Sequence, residues 1–275
     1  MTDTAIRGGV GPTLHARGPA YSVIQKCLSV QDDAQPLGRL ARFFGVTPLH
    51  SDARSWYQGA LGEIEVARSL AKLGPEWTVL HAVPVGAGEA DIDHVVIGPN
   101  GVFTLNTKNH AGKRVFVGGR TFMVSGVKEH FVRNSEFEAT RASRLLSAAV
   151  HEPIEVTPLI VVVGAESIAV GRIAPVVDVR SSGQIGRWLQ KRKPVLSYDQ
   201  VVRIAQAAGQ RGTWHTAEVV LDDTQRHVAR FERLRRGVDA AAHRARLWAA
   251  CGTLAGIVAL AVIVLNFLPV VGSGR

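Results

Sequence analysis

Apolar residues recur at helical spacing in the segment that begins at Ser51. Ser51 or Asp52 is a suitable N-cap and Gly74-Pro75 is a stop signal, so the pattern predicts a helix over about residues 51–73. Its apolar positions are Trp56, Ala60, Ile64, Ala67 and Leu70. Upstream, residues 1–50 are weakly patterned and predict a weakly structured N-terminal arm. Within it, LGRLARFF over residues 37–44 is typical of a short basic amphipathic turn.

Beyond this helix, short β-type runs alternate with turn residues. Strands are predicted over 77–83, 91–97, 101–108, 114–117 and 121–124, the last two joined as a hairpin by Gly118-Gly119-Arg120. Then come a helix over 135–150, strands over 157–163 and 176–179, and helices over 182–191 and 197–210, the last with a capping box of Ser197 and Gln200. This order predicts an α/β domain over residues 51–215, with a mixed central sheet flanked by helices.

The segment 247–271 contains no Asp, Glu, Lys or Arg. At 1.5 Å per residue it would reach roughly 37 Å, enough to cross a hydrocarbon core of ~30 Å. A buried helix of a soluble protein seldom runs so long without a charge. The pattern therefore predicts one C-terminal transmembrane helix, preceded over 216–246 by a basic juxtamembrane helix. The arginines of that helix are Arg226, Arg230, Arg233, Arg235, Arg236, Arg244 and Arg246.

Charge sets the expected orientation and partners. Because the arginines precede the apolar segment, the positive-inside rule predicts a single-pass protein of the cell membrane with its N-terminal domain in the cytoplasm. The formal charge of +9 and the sequence pI of about 10.1 favour nucleic acid or anionic lipid as partners, the lipid near the basic helix. The two cysteines form no CxxC pair, which argues against structural zinc and a disulfide-built fold.

Polar residues interrupt two predicted strands on either side of a turn at residues 98–101. Alternation places Asp91 and Asp93 on one face of the first strand, and Asn106 and Lys108 on one face of the second. With a two-residue loop, Asp93 faces Asn106 and Asp91 faces Lys108. With the last glycine of the turn in a left-handed bulge position, the register moves by one and the cluster divides between both faces. The sequence leaves both registers open.

Carboxylates beside a lysine are the groups that metal-assisted phosphodiester hydrolysis uses. Carboxylate oxygens hold Mg²⁺ or Mn²⁺, the ion polarises the phosphate, and the lysine stabilises the developing charge. By itself the spacing favours the simpler interpretation, because Asp and Lys at strand ends are usually solvated. His94 alternates with Asp93 and is interpreted as a packed or hydrogen-bonded histidine.

Over about residues 55–165 the sequence resembles the nuclease-related domain (NERD) family, which looks like a divergent branch of the PD-(D/E)XK nucleases. The resemblance is carried by Gly62-Glu63, the run IDHVVIGPNGVF at 92–103, Thr107-Lys108-Asn109, Asn134 and Glu138. It implies a restriction-endonuclease-like fold and hydrolysis of DNA or RNA with Mg²⁺ or Mn²⁺. By this resemblance the catalytic candidates are Lys108, Asn106 and Glu138, and the candidate metal ligands are Asp93, Glu63 and Asp91.

Asn106 departs from the family, which usually has Glu at this position, and Glu138 stands where the family often has an amide. The neutral amide removes one charge from a metal site, and Asp91 or Glu89 is expected to compensate. Two rivals to the enzyme follow. One is a catalytically inactive module that binds nucleic acid or a protein at the membrane, which Asn106 favours. The other is a tail-anchored scaffold whose basic helix binds lipid.

Overall fold

The computed structural model describes residues 13–85, 91–215 and 224–267. They divide into two compact units. The first contains residues 13–27 and the described residues from 55 to 225, and the second contains residues 28–54 and 226–267. Glu89 and the ends of the predicted juxtamembrane and transmembrane segments, 216–223 and 268–271, lie outside the described residues.

The helices and strands have the following bounds. The helices are α1 Tyr21–Asp32, α2 Arg39–Phe43, α3 Arg54–Leu70, α4 Phe131–Val150, α5 Ile185–Gln190, α6 Tyr198–Gly209 and α7 Thr224–Phe267. The strands are β1 Thr78–Pro84, β2 Asp91–Gly98, β3 Gly101–Asn109, β4 Arg114–Gly118, β5 Thr121–Val124, β6 Val127–Glu129, β7 Val156–Val163, β8 Ser167–Val170 and β9 Asp178–Ser181.

A five-stranded sheet in the order β1-β2-β3-β7-β9 forms the centre of the first unit. Strands β1, β2 and β3 are antiparallel neighbours, whereas β7 runs parallel to both β3 and β9. The sheet is therefore mixed, as the sequence predicts. Strand β7 lies between two neighbours, which explains why all five of its residues after Pro158 are apolar and buried.

Helices cover both faces of this sheet. On one face, Val66 and Leu70 of α3 pack with Val96, Phe103 and Leu105. On the other, α4 packs through Ala139, Ala142 and Leu146 against Val95, Ile97 and Val102. Residues that alternate along β2 and β3 thus serve opposite faces, which is the pattern expected for a sheet buried on both sides.

A second sheet, in the order β6-β5-β4-β8, packs beside the first. Its apolar residues Val115 and Phe122 join Ile160 and Val162 of β7 in one buried cluster. Its β4–β5 hairpin has the predicted position and turn. Strands β6 and β8 were not predicted, because each has only three or four residues and most of their side chains are exposed.

Most predicted elements of the first unit are observed within a few residues of their expected bounds. The capping box of α6 is present, with Gln200 N donating to Ser197 Oγ and Ser197 N donating to Gln200 Oε1. The described part of the N-terminal arm differs from the expectation of weak structure. It contains the helix α1, whose side chains Ile24, Cys27 and Leu28 are buried.

The second unit is built around α7. Its candidate span, Gln225–Asn266, is the one helix within the described ranges that is long and apolar enough to cross a membrane. Its most apolar 18-residue window has a mean hydropathy of 2.3, and none of that window is buried. A core helix of a soluble protein would bury these side chains, so this observation favours the predicted membrane segment over that alternative.

Candidate nuclease site

The register of β2 against β3 is the one produced by a two-residue loop. Ile97 pairs with Val102, and the ladder continues to His94 opposite Leu105. Gly101 has φ +127°, a conformation that favours glycine, yet no residue is inserted. Asp93 and Asn106 occupy the next opposed positions beyond the ladder, so the register that brings the polar residues onto one face is the observed one.

Asp93 lies where β2 and β3 cease to pair. Its Oδ2 accepts a hydrogen bond of 2.6 Å from the backbone N–H of Thr107, so the carboxylate takes a donor that the ladder leaves free. Burial raises the pKa of Asp93, while the charge of Lys108 and the hydrogen bond from the backbone N–H of Thr107 oppose that rise. A buried carboxylate held in this way is well placed to receive a cation.

Asn106 and Glu138 are direct partners. Nδ2 of Asn106 donates to Oε1 of Glu138 over 2.7 Å, linking β3 to α4. Each residue keeps one buried oxygen, Asn106 Oδ1 and Glu138 Oε2, without a hydrogen-bond partner among the described residues. Burial, reinforced by the charge of Asp93, raises the pKa of Glu138 to about 7. Two buried oxygen acceptors without partners, on residues in direct contact, can bind a cation or a hydrogen-bond donor.

Glu63 reaches the same region from α3. Its side chain is buried, 5% exposed, rather than a surface carboxylate. Burial raises the pKa of Glu63 well above its usual value, and the charges of Asp93 and Asp91 raise it further, while Lys108 and a backbone hydrogen bond at Ala20 act in the opposite direction. The neighbouring Gly62 allows this approach, because a Cβ there would lie 3.1 Å from Cβ of Asn109 on β3.

The carboxylate of Asp91 is hydrogen-bonded by residues of the N-terminal segment. Its Oδ2 accepts hydrogen bonds from Ser22 Oγ and from Nη2 of Arg17, the latter at 3.1 Å. Burial raises the pKa of Asp91, and Ser22 and Arg17 oppose the rise. Asp91 therefore has a structural role in the arm, and its predicted role as a metal ligand stays a prediction.

Lys108 supplies positive charge among these acids. Its Nζ lies 5.0 Å from the ring centroid of Phe131 at the start of α4, a cation–π distance. Its charge lowers the pKa of Glu63, Asp93 and Glu138. The structure thus brings Glu63, Asp93 and Glu138 around one lysine, with Asn106 hydrogen-bonded to the third of these acids.

His94 is a packed, hydrogen-bonded histidine, as interpreted from the sequence. It is fully buried, and its Nδ1 lies 2.8 Å from Nδ1 of His81 on the neighbouring strand. Burial lowers the pKa of His94 well below its usual value and that of His81 to about 4. Both rings are therefore neutral at pH 7, and they join β1 to β2.

The N-terminal segment contributes to the site in a way that was not predicted from the sequence. Arg17 and Ser22 bind Asp91, and the backbone of Ala20 bonds to Glu63. One signal could have revealed this segment. Ile24, Cys27 and Leu28 lie at helical spacing after Gly18-Pro19, a common context for a helix start.

The candidate metal ligands at this site are carboxylate and amide oxygens, the ligand atoms that Mg²⁺ and Mn²⁺ prefer. They are too few to complete the coordination of an ion by protein atoms alone. Within residues 13–85, 91–215 and 224–267, no three His, Cys, Asp or Glu side chains are placed to hold an ion together. Mg²⁺ commonly binds one or two protein carboxylates and completes its coordination with waters and substrate phosphate. The unpartnered oxygens of Asn106 and Glu138 fit this small number of protein ligands.

Part of this chain is similar to known proteins. Residues 58–163 match the family model described as nuclease-related domain. An uncharacterized protein of Bacillus anthracis is 45% identical over 60 residues, which is 20% of this chain and 28% of that relative. The chain thus spans under a third of the length of that relative. No solved structure matches this chain. Residues 58–163, which match the model of the nuclease-related domain family, include every candidate site residue.

Proposed function

We propose that this protein is a membrane-anchored nuclease that hydrolyses phosphodiester bonds of DNA or RNA with Mg²⁺ or Mn²⁺. The observation that carries the proposal is the grouping of Asp93, Asn106 and Glu138 with Lys108 at the end of the β2–β3 ladder. Buried carboxylates with raised pKa values are costly for stability, and such groups concentrate at functional sites.

The residues divide into two roles. Asp93 and Glu138 provide carboxylate oxygens for the ion and Asn106 provides an amide oxygen, while Glu63 contributes a third carboxyl group from α3. When bound, the ion polarises the phosphate and lowers the pKa of a coordinated water. Lys108 stabilises the charge that develops on the phosphate oxygens, and its contact with Phe131 holds the amine in place.

Glu138 accounts for the departure at Asn106. The family usually has a carboxylate on the strand and often an amide on the helix, whereas here the amide is on β3 and the carboxylate is on α4. Since the two side chains are hydrogen-bonded at 2.7 Å, the exchange keeps one carboxylate and one amide within the same small volume. The site retains its negative charge, and Asp91 is not needed to restore it.

The second part of the proposal is the location. The apolar half of α7 crosses the cell membrane once, and the arginine-rich half lies on the cytoplasmic side with the nuclease-related domain. Protease added to sealed inside-out vesicles should digest the domain, whereas protease added to right-side-out vesicles should leave it intact. The reverse pattern would refute the orientation.

A cleavage assay on the full chain in detergent micelles tests the activity. Labelled single-stranded and duplex DNA and RNA are incubated with Mn²⁺ or Mg²⁺, and with EDTA as the metal-free control. Lys108→Ala should abolish cutting, whereas Lys128→Ala should not, because Lys128 is exposed on β6. Metal-dependent cutting that persists in Lys108→Ala would refute the assigned role.

Asn106 also supports a second candidate, a module that binds nucleic acid without cutting it. The same samples distinguish the two functions when binding is measured beside cleavage. Folded protein that binds labelled nucleic acid, yet leaves it uncut with either metal, would establish the binding module.

A further inference from the structure

The second unit contains a cavity of about 340 Å³ that the nuclease function does not use. Its lining comes from the segment between α1 and α3 and from the face of α7 that meets it. Two arginines contribute to this lining, Arg42 of α2 and Arg244 of α7, together with the apolar side chains of Leu37, Val46 and Pro48. The cavity therefore combines positive charge with an apolar wall.

Neither arginine is neutralised by the protein. No carboxylate in the described part of the chain forms an ion pair with Arg42 or Arg244, and the buried Nε of Arg244 has no hydrogen-bond partner there. The nearby acid Asp32, by contrast, is paired with Arg230. A buried guanidinium nitrogen without an acceptor is a donor that an anionic or polar ligand can satisfy.

An aromatic cluster indicates at which height along α7 the cavity lies relative to the membrane surface. Trp248 lies one turn beyond Arg244 on α7, and its Nε1 donates to the backbone oxygen of Phe43 over 3.0 Å. The rings of Phe43, Phe44 and Trp248 lie with centroids 5.0–5.2 Å apart. Aromatic residues of this kind collect at membrane–water interfaces, so Arg244, one turn before Trp248, and Arg42, directly before Phe43, fall at the headgroup level.

The surface of α2 continues the apolar surface of α7. Leu40 is 74% exposed, and Phe43 and Phe44 are each more than half exposed. Gly45 holds the end of this segment against α7, since its φ is +79° and a Cβ there would lie 2.4 Å from the backbone nitrogen of Ala245. Exposed apolar side chains fixed beside a membrane segment have lipid as their natural neighbour.

We infer that this cavity binds the phosphate-bearing headgroup of an anionic phospholipid, while Leu40, Phe43 and Phe44 lie in the interfacial layer of the same bilayer. The inference rests on the proposed membrane embedding of α7. Arg42 and Arg244 donate to the phosphate, and the apolar lining contacts the glycerol and the upper acyl chain. The segment predicted from sequence as a basic amphipathic turn is thus a lipid-binding element.

The test measures phospholipid retained by the full chain. Protein in detergent is supplied with phosphatidylglycerol or phosphatidylcholine, and bound lipid is counted by native mass spectrometry. Wild type should retain phosphatidylglycerol in preference. Arg42→Gln/Arg244→Gln should lower that retention by about tenfold or more, because two charge-assisted contacts are lost. Arg39→Gln/Arg246→Gln removes the same charge from the same helices outside the cavity and should retain lipid within about twofold.

Equal loss in both double variants, or loss in neither, would overturn the headgroup site. Release of phosphatidylglycerol by millimolar inorganic phosphate would show a site for free anions and would also overturn it. Val46→Trp fills the cavity without changing the charge, so retention in that variant would count against the site even if the arginine variant fails to fold. Flotation of wild type with vesicles reports membrane embedding separately from lipid selectivity.

Discussion

Nδ2 of Asn106 donates a 2.7 Å hydrogen bond to Oε1 of Glu138, and this contact joins the third strand of the central sheet to the long helix α4. A pair of one amide and one carboxylate in contact offers the same groups and the same total charge whether the acid is on the strand or on the helix. The charge of the site then depends on the pair and not on position 106 alone.

Exchanging the two groups should therefore preserve activity. Glu138→Gln removes the only acid of the pair and should lower the cleavage rate by roughly 10²-fold or more, as loss of a charge-stabilising group commonly does. Asn106→Glu/Glu138→Gln returns the acid to the strand and should recover most of that rate. The comparison uses the single-turnover cleavage rate of the full chain with Mn²⁺.

Glu136→Gln is the matched control for this exchange. Glu136 lies on the same helix and pairs with Arg120 at the surface, so its loss should leave the rate within about twofold. A double variant as inactive as Glu138→Gln would show that the position of the acid matters, and the equivalence of the pair would then be wrong.

Glu138 should also make stability fall with rising pH. Its folded pKa is about 7 against an ordinary value of 4.5, so the folded protein holds the proton more tightly than the unfolded chain. The contribution of Glu138 to stability is full below pH 4.5 and is lost as pH rises through about 7, by at most about 3.5 kcal/mol at 1.4 kcal/mol per unit. Glu138→Gln mimics the protonated acid and should have the higher Tm at pH 8 but not at pH 4.5.

The comparison within one protein pair separates Glu138 from the other raised carboxylates, since Glu63 and Asp93 are present in both. Thermal unfolding of the full chain in detergent at the two pH values is the measurement. A Tm difference that is the same at pH 4.5 and pH 8 would mean that ionisation of Glu138 carries no such cost.

The sequence predicted β2 and β3 closely because local rules determine them. The turn residues at 98–101 end one strand and begin the next, and apolar residues on both faces require a sheet covered on both sides. It could not decide the register, since a bulge and a plain loop have the same sequence signal. The contact of Arg17 with Asp91 joins residues 74 positions apart, and no local pattern encodes such a pair.

The sheet is easier to predict from the sequence than the site, because the site also depends on tertiary packing. The positions of Asp93 and Lys108 follow from alternation along two adjacent strands. Glu138 approaches from a helix whose rotation relative to the sheet is fixed by Ala139, Ala142 and Leu146, and that packing is a tertiary property. Its contact with Asn106 could be known only once the helix was placed.

Two glycines of α3 should respond differently to alanine. A Cβ at Gly59 would meet Val23 Cγ1 at an ordinary 3.4 Å, whereas one at Gly62 would lie 3.1 Å from Asn109 Cβ. Gly59→Ala should gain up to about 1 kcal/mol from helix propensity. Gly62→Ala should lose that gain to crowding, and should slow cleavage because the helix that carries Glu63 is displaced.

Denaturant unfolding of both variants, beside the cleavage rate, checks this difference. The Gly59→Ala protein serves as the control for the change in helix propensity. Equal stabilisation of both variants with unchanged activity would mean that α3 does not approach β3 closely at residue 62.

Replacing Asp91 should lower stability, whereas replacing Asp93 should lower activity, although the two residues are only two positions apart. Asp91 is bound by Arg17 and Ser22, so Asp91→Asn should destabilise the arm while leaving the cleavage rate of the folded protein within about tenfold. Asp93 accepts from Thr107 N at the end of the ladder, so Asp93→Asn keeps the shape but removes the charge, and should abolish metal-dependent cutting.

Arg17→Met tests the same ion pair by removing the partner of Asp91. It leaves the largely buried Asp91 carboxylate without its cation and should cost a few kcal/mol at pH 8. The cost should shrink as the pH falls, because the pKa of Asp91 is already raised by burial and rises further once Arg17 is gone. Arg17→Met in the Asp91→Asn background should cost less than in wild type. A cleavage rate abolished by Asp91→Asn at full stability would instead place Asp91 among the metal ligands.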